Sequence, residues 1–310
     1  MPTINEQNLR RYSPLELLSK QAVEGFITGL HKSPYHGFSV EFSEHRLYND
    51  GESTRNIDWK LFARSDKLFV KRFEEETNLR CRILIDSSSS MYFPILPKLD
   101  FDHPNKMWFS VYAAAALVQL FRRQRDAFGL TLFSDQIQFN SPVRSTPKHQ
   151  QMVFNELEKL LEPYDQLVQK TTQVTSALHE IAESIHRRSL VIIFSDMFED
   201  TAQKEELFSA IQHLKHNKHE VILFHVVDKK LEIDFEFENR PYRFVDMETG
   251  NELKLHPNEI RTRYAEAMNK AHQELKLKCS QFEIDYVEAD IALGLHQVLL
   301  PYILKRQKMH

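Results

Sequence analysis

Glycine is scarce in this chain, with seven among 310 residues, about 2% against a usual ~7%. Glycine is what lets a backbone close tightly around a phosphate. Gly25, Gly29, Gly37, Gly51, Gly129, Gly250 and Gly294 are too scattered to write G-x-G-x-x-G or G-x-x-x-x-G-K-[ST]. That argues against a Rossmann dinucleotide loop and a P-loop, and the G-x-S-x-G elbow of the α/β-hydrolases is missing as well. The chain is therefore not expected to bind ATP or NAD by itself. Cysteine is equally sparse: Cys81 and Cys279 are too few for a disulfide framework and are not spaced as metal ligands. There is no basic excess, since 40 Lys+Arg face 44 Asp+Glu for a net charge of −4, so no global field recruits nucleic acid or anionic lipid. The longest apolar run, 111–118, falls far short of the ~20 residues of a spanning helix. The opening Met-Pro-Thr-Ile-Asn-Glu lacks the regions of a signal peptide. A cytoplasmic protein without membrane insertion is expected.

What is present is an α/β rhythm. Short apolar runs at 81–85, 130–133, 190–194, 221–227 and 282–287 read as strands, and helical patterns at 106–125, 148–161, 175–187, 205–217 and 259–278 fall between them. Most of these runs are continuously apolar rather than alternating, as expected of parallel strands covered on both faces. The alternation predicts an open, mostly parallel sheet flanked by helices, occupying 81–310. Two segments break the rhythm. Residues 1–80 carry an amphipathic helix near 14–30, polar turns and a strand at 67–73, and are expected to dock on the core. Residues 229–257 read as a β-hairpin insertion, because Leu231–Phe237 alternates strictly.

The first buried strand ends in Asp86-Ser87-Ser88-Ser89-Ser90. In an open α/β sheet, ligands bind outside the carboxyl ends of the strands, which puts a carboxylate and hydroxyls at the functional edge. Asp86, Ser88 and Ser90 form D-x-S-x-S, three oxygen ligands for a hard divalent cation. Mg²⁺ takes six oxygens in a near-octahedral shell, so other strand-end loops must contribute. Asp196 follows the 190–194 strand, and Thr171-Thr172 precedes the 175–187 helix. A Ser-rich turn after a strand is also common without any metal, and a threonine there also serves as a helix N-cap.

Taken together, Asp86, Ser88, Ser90, a threonine and Asp196 resemble the metal-ion-dependent adhesion site of von Willebrand factor A domains. The stretch from Thr172 to Leu178 is similar to the T-x-L-x-x-A-L of that family, which favours Thr172 over Thr171. A second block is more specific. Arg46-Leu47-Tyr48-Asn49-Asp50-Gly51, Arg55-Asn56-Ile57-Asp58-Trp59, Ala63-Arg64-Ser65 and Val70-Lys71-Arg72-Phe73 closely resemble the bacterial domain-of-unknown-function 58 family, whose core is von Willebrand A-like (Rossmann-like). Gly37–Phe42, His225–Asp228, Asp246–Gly250 and Arg261–Tyr264 agree, so the resemblance covers nearly the whole chain. It implies a non-enzymatic protein-interaction module holding Mg²⁺, or another divalent cation such as Mn²⁺ or Ca²⁺. It also implies a MoxR-type AAA+ ATPase as partner, in maturation or chaperoning of other complexes, with a partner or client protein offering an acidic side chain to the metal.

Alternatives stay open beside that reading. A Mg²⁺-dependent phosphotransfer or hydrolytic enzyme could use Asp86, although Ser88 stands where the haloacid-dehalogenase type needs a second aspartate. A metal-free scaffold of the same fold is the third possibility. Arg55, Asp58 and Arg64 read as a buried ion pair that fixes the N-terminal segment on the core with Trp59 as its apolar anchor, Glu74–Glu76 as a solvated strand end, and Asp135 as a turn residue. His213, His216 and His219 read as a polar helix terminus rather than a zinc site, because steps of three drift ~60° around a helix.

Overall fold

The structure is a computed structural model. It describes residues 14–30, 45–47, 59–65, 68–71, 79–162, 174–186, 188–197, 204–216 and 218–307. The chain divides into two compact units, Gly29–Asn78 and a larger unit of Leu79–His310 with Met1–Thr28. In the smaller unit, β1 (His45–Leu47) pairs antiparallel with β2 (Phe69–Lys71), and α2 (Trp59–Ser65) lies between them in sequence. Arg64, expected in a buried ion pair, is exposed, and Arg55, Asp58, the Trp59 side chain and Glu74–Glu76 lie outside the described residues. Helix α1 (Pro14–Leu30) begins the larger unit and buries Leu15 and Val23.

The larger unit is built on β3 (Arg80–Asp86), β4 (Ala127–Phe133), β5 (Ile137–Asn140), β6 (Leu190–Ser195), β7 (Glu220–Val227) and β10 (Asp285–Asp290). Their order is β10-β7-β6-β3-β4-β5, and every pair is parallel except β4–β5. All six residues of β6 and all but the first of β3, β4 and β7 are buried. Such strands cannot alternate in polarity, because helices cover both faces. On one face α5 (Val174–Ser184), α6 (Lys204–His216) and α7 (Pro257–Gln281) pack on Leu84, Val191, Ile193, Val221 and Leu223. The other face is covered by α3 (Lys106–Arg123), with α4 (Pro147–Lys159) and α8 (Gly294–Gln307) beside it. Helix α3 starts at Asn105, whose side chain accepts from the Trp108 amide at 2.7 Å. It buries Ala113–Ala116 completely or nearly so, and residues without bulk let a helix approach the sheet closely. This is the open, mostly parallel α/β sheet flanked by helices that the sequence predicts. No helix among the described residues is long and apolar enough to cross a membrane.

One buried cation constrains the middle of the sheet. Arg82 Nη1 donates to Asn140 Oδ1 at 2.8 Å and to the Ser141 carbonyl at 2.6 Å. Gly129 stands opposite Arg82 in register. A Cβ at Gly129 would meet Arg82 Nη1 at 2.9 Å and the Pro142 carbonyl at 3.1 Å. The Gly129→Ala variant is expected to lose about 1–3 kcal/mol, the usual cost of overpacking a core. Thermal melting checks this, and an unchanged midpoint would contradict the packing.

The insertion departs from expectation. Leu231–Phe237 is not a strand: Lys229–Ile233 forms a single π-helical turn, and the hairpin strands are β8 (Tyr242–Val245) and β9 (Glu252–Leu255). The alternation misleads because Asp228 caps the turn by accepting from the Leu231 amide, and Glu232 Oε2 accepts from the Asp228 amide. Phe235 and Phe237 then join an aromatic cluster with Tyr242 and Phe244. At the polar helix terminus two of the three histidines have defined partners. His213 Nδ1 lies 3.0 Å from His179 Nδ1 on α5, and His219 is buried with Nδ1 accepting from the Ser189 amide. The side chain of His216 lies outside the described residues. Asp135 is a turn residue, with its carboxylate accepting from Ser134 Oγ and the Ser134 amide bonded to the Gln136 carbonyl.

Candidate metal centre

From β3 the chain steps to β4 and β5 on one side, then returns to β6, β7 and β10 on the other. The strand order reverses between β3 and β6, and at such a point two diverging crossovers leave a crevice outside the carboxyl ends of the strands. Asp86 ends β3 and Ser195-Asp196 ends β6, and the register pairs Ile85 with Phe194. Topology therefore sets Asp86 beside Ser195 although they are 109 positions apart.

Asp86 is fully buried. Its Oδ1 accepts from the Ser88 amide at 2.9 Å and its Oδ2 from Ser195 Oγ at 2.7 Å. The first bond is an Asx-type turn, which folds the serine loop back over the carboxylate. Ser87 ties the same loop to β4, since its amide and hydroxyl both donate to the Phe133 carbonyl. Ser88 then stands at the head of the 3₁₀ turn Ser89–Tyr92, where its carbonyl accepts from the Met91 amide. The hydroxyls of Ser88 and Ser90 meet at 3.0 Å.

Asp196 lies across the crevice in an ion-pair network that the sequence reading missed. The ammonium of Lys106, the first residue of α3, donates to Asp196 Oδ2 at 2.8 Å and to Glu232 Oε1 at 2.5 Å. Lys106 is almost completely buried, and Glu232 is part-buried. Behind them, His225 Nε2 donates to the Asp196 carbonyl at 2.8 Å, leaving Nδ1 to accept from the Tyr286 hydroxyl at 2.7 Å. Burial, with His272 nearby, pushes His225 down to about 3, so its ring is neutral. Burial also opposes the Lys106 charge, but Asp196 and Glu232 outweigh it and hold the ammonium above the ordinary lysine range.

Burial, followed by the negative charge of Asp196, pushes Asp86 up to about 7. Two buried carboxylates that oppose each other's ionisation are what a cation would relieve. The hydroxyl spacing agrees. Adjacent oxygens of an Mg²⁺ octahedron at ~2.1 Å are ~3.0 Å apart, the separation of Ser88 Oγ and Ser90 Oγ. The residues present therefore fit Mg²⁺. Among the described residues no three His, Cys, Asp or Glu side chains gather as a metal-ligand group, so hydroxyls would have to complete the shell. Of the five residues expected at the site, the structure brings together Asp86, Ser88, Ser90 and Asp196. Thr171 and Thr172 lie outside the described residues.

The additional residues are Lys106, Ser195, Glu232 and His225. For Lys106 a signal existed: a lone lysine opens a helix that is apolar from Met107 to Val118 except at Ser110, at the end where the helix dipole disfavours a cation. Nothing local marked Glu232, which lies 126 positions further on.

Residues 44–274 match the model of a family described as protein of unknown function DUF58. The uncharacterized protein Rv1480 of Mycobacterium tuberculosis and Mb1516 of Mycobacterium bovis are each 24% identical to this chain over 218 residues. The aligned stretch is 70% of this chain and 64% of those relatives' length. Among solved structures, an aerotolerance-related membrane protein from Bacteroides fragilis is similar over 71% of this chain and 96% of its own, with a TM-score of 0.42 and 14% identity. BatB from Bacteroides thetaiotaomicron is similar over 74% and 99%, with a TM-score of 0.41 and 17% identity. The SpRpn10 VWA domain matches 48% of this chain and 75% of its own at a TM-score of 0.30 and 16% identity.

Proposed function

This chain belongs to the DUF58 family of proteins of unknown function, and from that premise we propose that its strand-end edge is a Mg²⁺-dependent protein-interaction site. The observation that carries the reading is the pair of buried carboxylates, Asp86 and Asp196, that oppose each other's ionisation where the strand order reverses, with the Ser88 and Ser90 hydroxyls meeting on the loop after Asp86. Asp86, Ser88, Ser90 and Asp196 would hold the ion, with Thr172 as the fifth protein ligand, and Mn²⁺ or Ca²⁺ could stand in for Mg²⁺. When bound, the ion would supply a Lewis-acidic position that an acidic side chain of a partner can occupy, since five protein oxygens leave one place in a six-oxygen shell. Around it, the chain offers surface suited to docking. Ile95 and Phe101 are exposed on the stretch leading from the Ser90 turn into α3, and Phe101 is fixed edge-on against Trp108.

The partner we propose is a MoxR-type AAA+ ATPase, alone or with a client protein, in the cytoplasm and in the maturation of other complexes. The support is the family resemblance, together with a glycine-poor chain that has no nucleotide-binding loop and so would draw ATP-derived work from elsewhere. The module itself is read as non-enzymatic. Pull-down of the ATPase by the full chain in Mg²⁺ and in EDTA tests this. Capture is expected to fall at least tenfold in EDTA and equally in Asp86→Ala with Mg²⁺ present. Equal capture under all three conditions would sink the metal-bridge reading. The isolated protein is further expected to show no appreciable nucleotide binding by equilibrium dialysis, and turnover of a phosphate ester lost in Asp86→Ala would favour an enzyme instead.

A further inference from the structure

Lys106 stands where two general rules disfavour a lysine. Its side chain is 1% exposed, although lysine is almost never fully buried unless paired. It also opens helix α3, where unsatisfied backbone N–H groups and the helix dipole present positive charge. What offsets both costs is a pair of carboxylates drawn from two different elements. Asp196 follows β6, and Glu232 belongs to the π-helical turn after β7. An ammonium is a compact point charge with three donors on a flexible four-carbon stem, so it can shift its weight between two acceptors without leaving either. The oxygen it holds on Asp196, Oδ2, belongs to a carboxylate on which the metal reading depends. An ammonium and a divalent cation repel, so closer engagement of Asp196 by one weakens its hold by the other.

We propose that Lys106 is a tethered cation that competes with the divalent ion for Asp196, and that Glu232 is the partner toward which its ammonium withdraws when the ion is bound. The proposal rests on the metal reading above and adds regulation to it. It has two consequences. The affinity for the ion is held low, so that the site empties readily. Occupancy is also relayed to the turn Lys229–Ile233, because Glu232 simultaneously accepts from the Asp228 amide and the Leu231 amide depends on Asp228. The strand-end edge and the 229–257 insertion are thereby coupled through one side chain.

Titrating Mn²⁺ into the full chain by calorimetry tests the proposal, with Lys106→Met and Glu232→Gln as the variants. Lys106→Met is expected to bind Mn²⁺ at least tenfold more tightly than the natural sequence. Glu232→Gln, which leaves the ammonium to Asp196 alone, is expected to bind it several-fold more weakly. A lysine that merely orients Asp196 gives the opposite sign for Lys106→Met. Hydrogen exchange supplies a readout that a purely structural role would not move. The amides of Asp228, Leu231 and Glu232 are expected to exchange more slowly on Mn²⁺ addition in the natural chain and to show no such change in Lys106→Met. If the natural chain binds Mn²⁺ and Lys106→Met binds it equally or less tightly, the competition is overturned while the metal site stands. If Lys106→Met does not fold, an unchanged affinity in Glu232→Gln together with unchanged exchange in the natural chain overturns it. Absence of Mn²⁺ binding in the natural chain removes the metal reading and the competition with it.

Discussion

Replacing Lys106 with methionine is expected to lower the stability of the metal-free protein by about 3–5 kcal/mol, the range seen when one partner of a buried ion pair is removed. The reason is what the substitution leaves behind. Asp196 is nearly buried and Glu232 part-buried, and both would face a hydrocarbon chain with their charges uncompensated. Burial already raises Glu232 above the usual carboxylate range, and Lys106 is the main group opposing that rise. Urea denaturation in EDTA near pH 7.5 measures the loss. A change below about 1 kcal/mol, the size found for exposed pairs, would show that the network is not coupled to folding. Saturating Mn²⁺ is expected to recover much of the loss, because a ligand that binds only the folded state stabilises it by mass action.

The Asp86→Asn variant is expected to act in the opposite direction and to stabilise the metal-free protein at pH 8 by several kcal/mol. In the folded chain Asp86 titrates at about 7 instead of the ordinary 3.8, because of burial and then the neighbouring Asp196. Between those values the folded state holds a proton that the unfolded state releases. Its contribution to stability is therefore fully present below about pH 4 and is lost as pH rises through about 7. At about 1.4 kcal/mol per pH unit, the ionised, metal-free carboxylate is one of the larger unfavourable terms at the site. An asparagine cannot ionise and can keep the acceptor role toward the Ser88 amide. The gain over the natural chain should thus be small near pH 4 and largest above pH 7. A gain independent of pH, or a loss at pH 8, would mean that Asp86 is not held in this environment.

The parts legible in the sequence were those written locally. Leu190–Phe194 and Val221–Val227 announce themselves as doubly covered strands because nearly every residue is apolar, and the structure buries them all. Asp86, Ser88 and Ser90 sit on one loop, so their convergence needs only a turn. Asp196 could be found because it ends another buried strand, and strand ends of a parallel sheet share an edge. Lys106 could not be placed the same way, because its meaning depends on acceptors 90 and 126 positions away. The same long-range pull defeated the strand expected at Leu231–Phe237. Alternation is a correct guide when solvent faces one side of a ribbon, but Glu232 turns inward to an ammonium, and Phe235 is buried with φ +51°. His219 likewise depends on a distant partner, since its Nδ1 accepts from the Ser189 amide.

Asp86→Asn also serves the most direct test of the account, because its loss of metal binding cannot be ascribed to loss of the fold. The decisive measurement is calorimetric titration of Mg²⁺ and Mn²⁺ into the full chain and into Asp86→Asn under the same conditions, with circular dichroism confirming that both are folded. The strand-end site predicts one ion per natural chain and affinity at least a hundredfold weaker in the variant. Equal binding by the two proteins, or none by the natural chain, would contradict it.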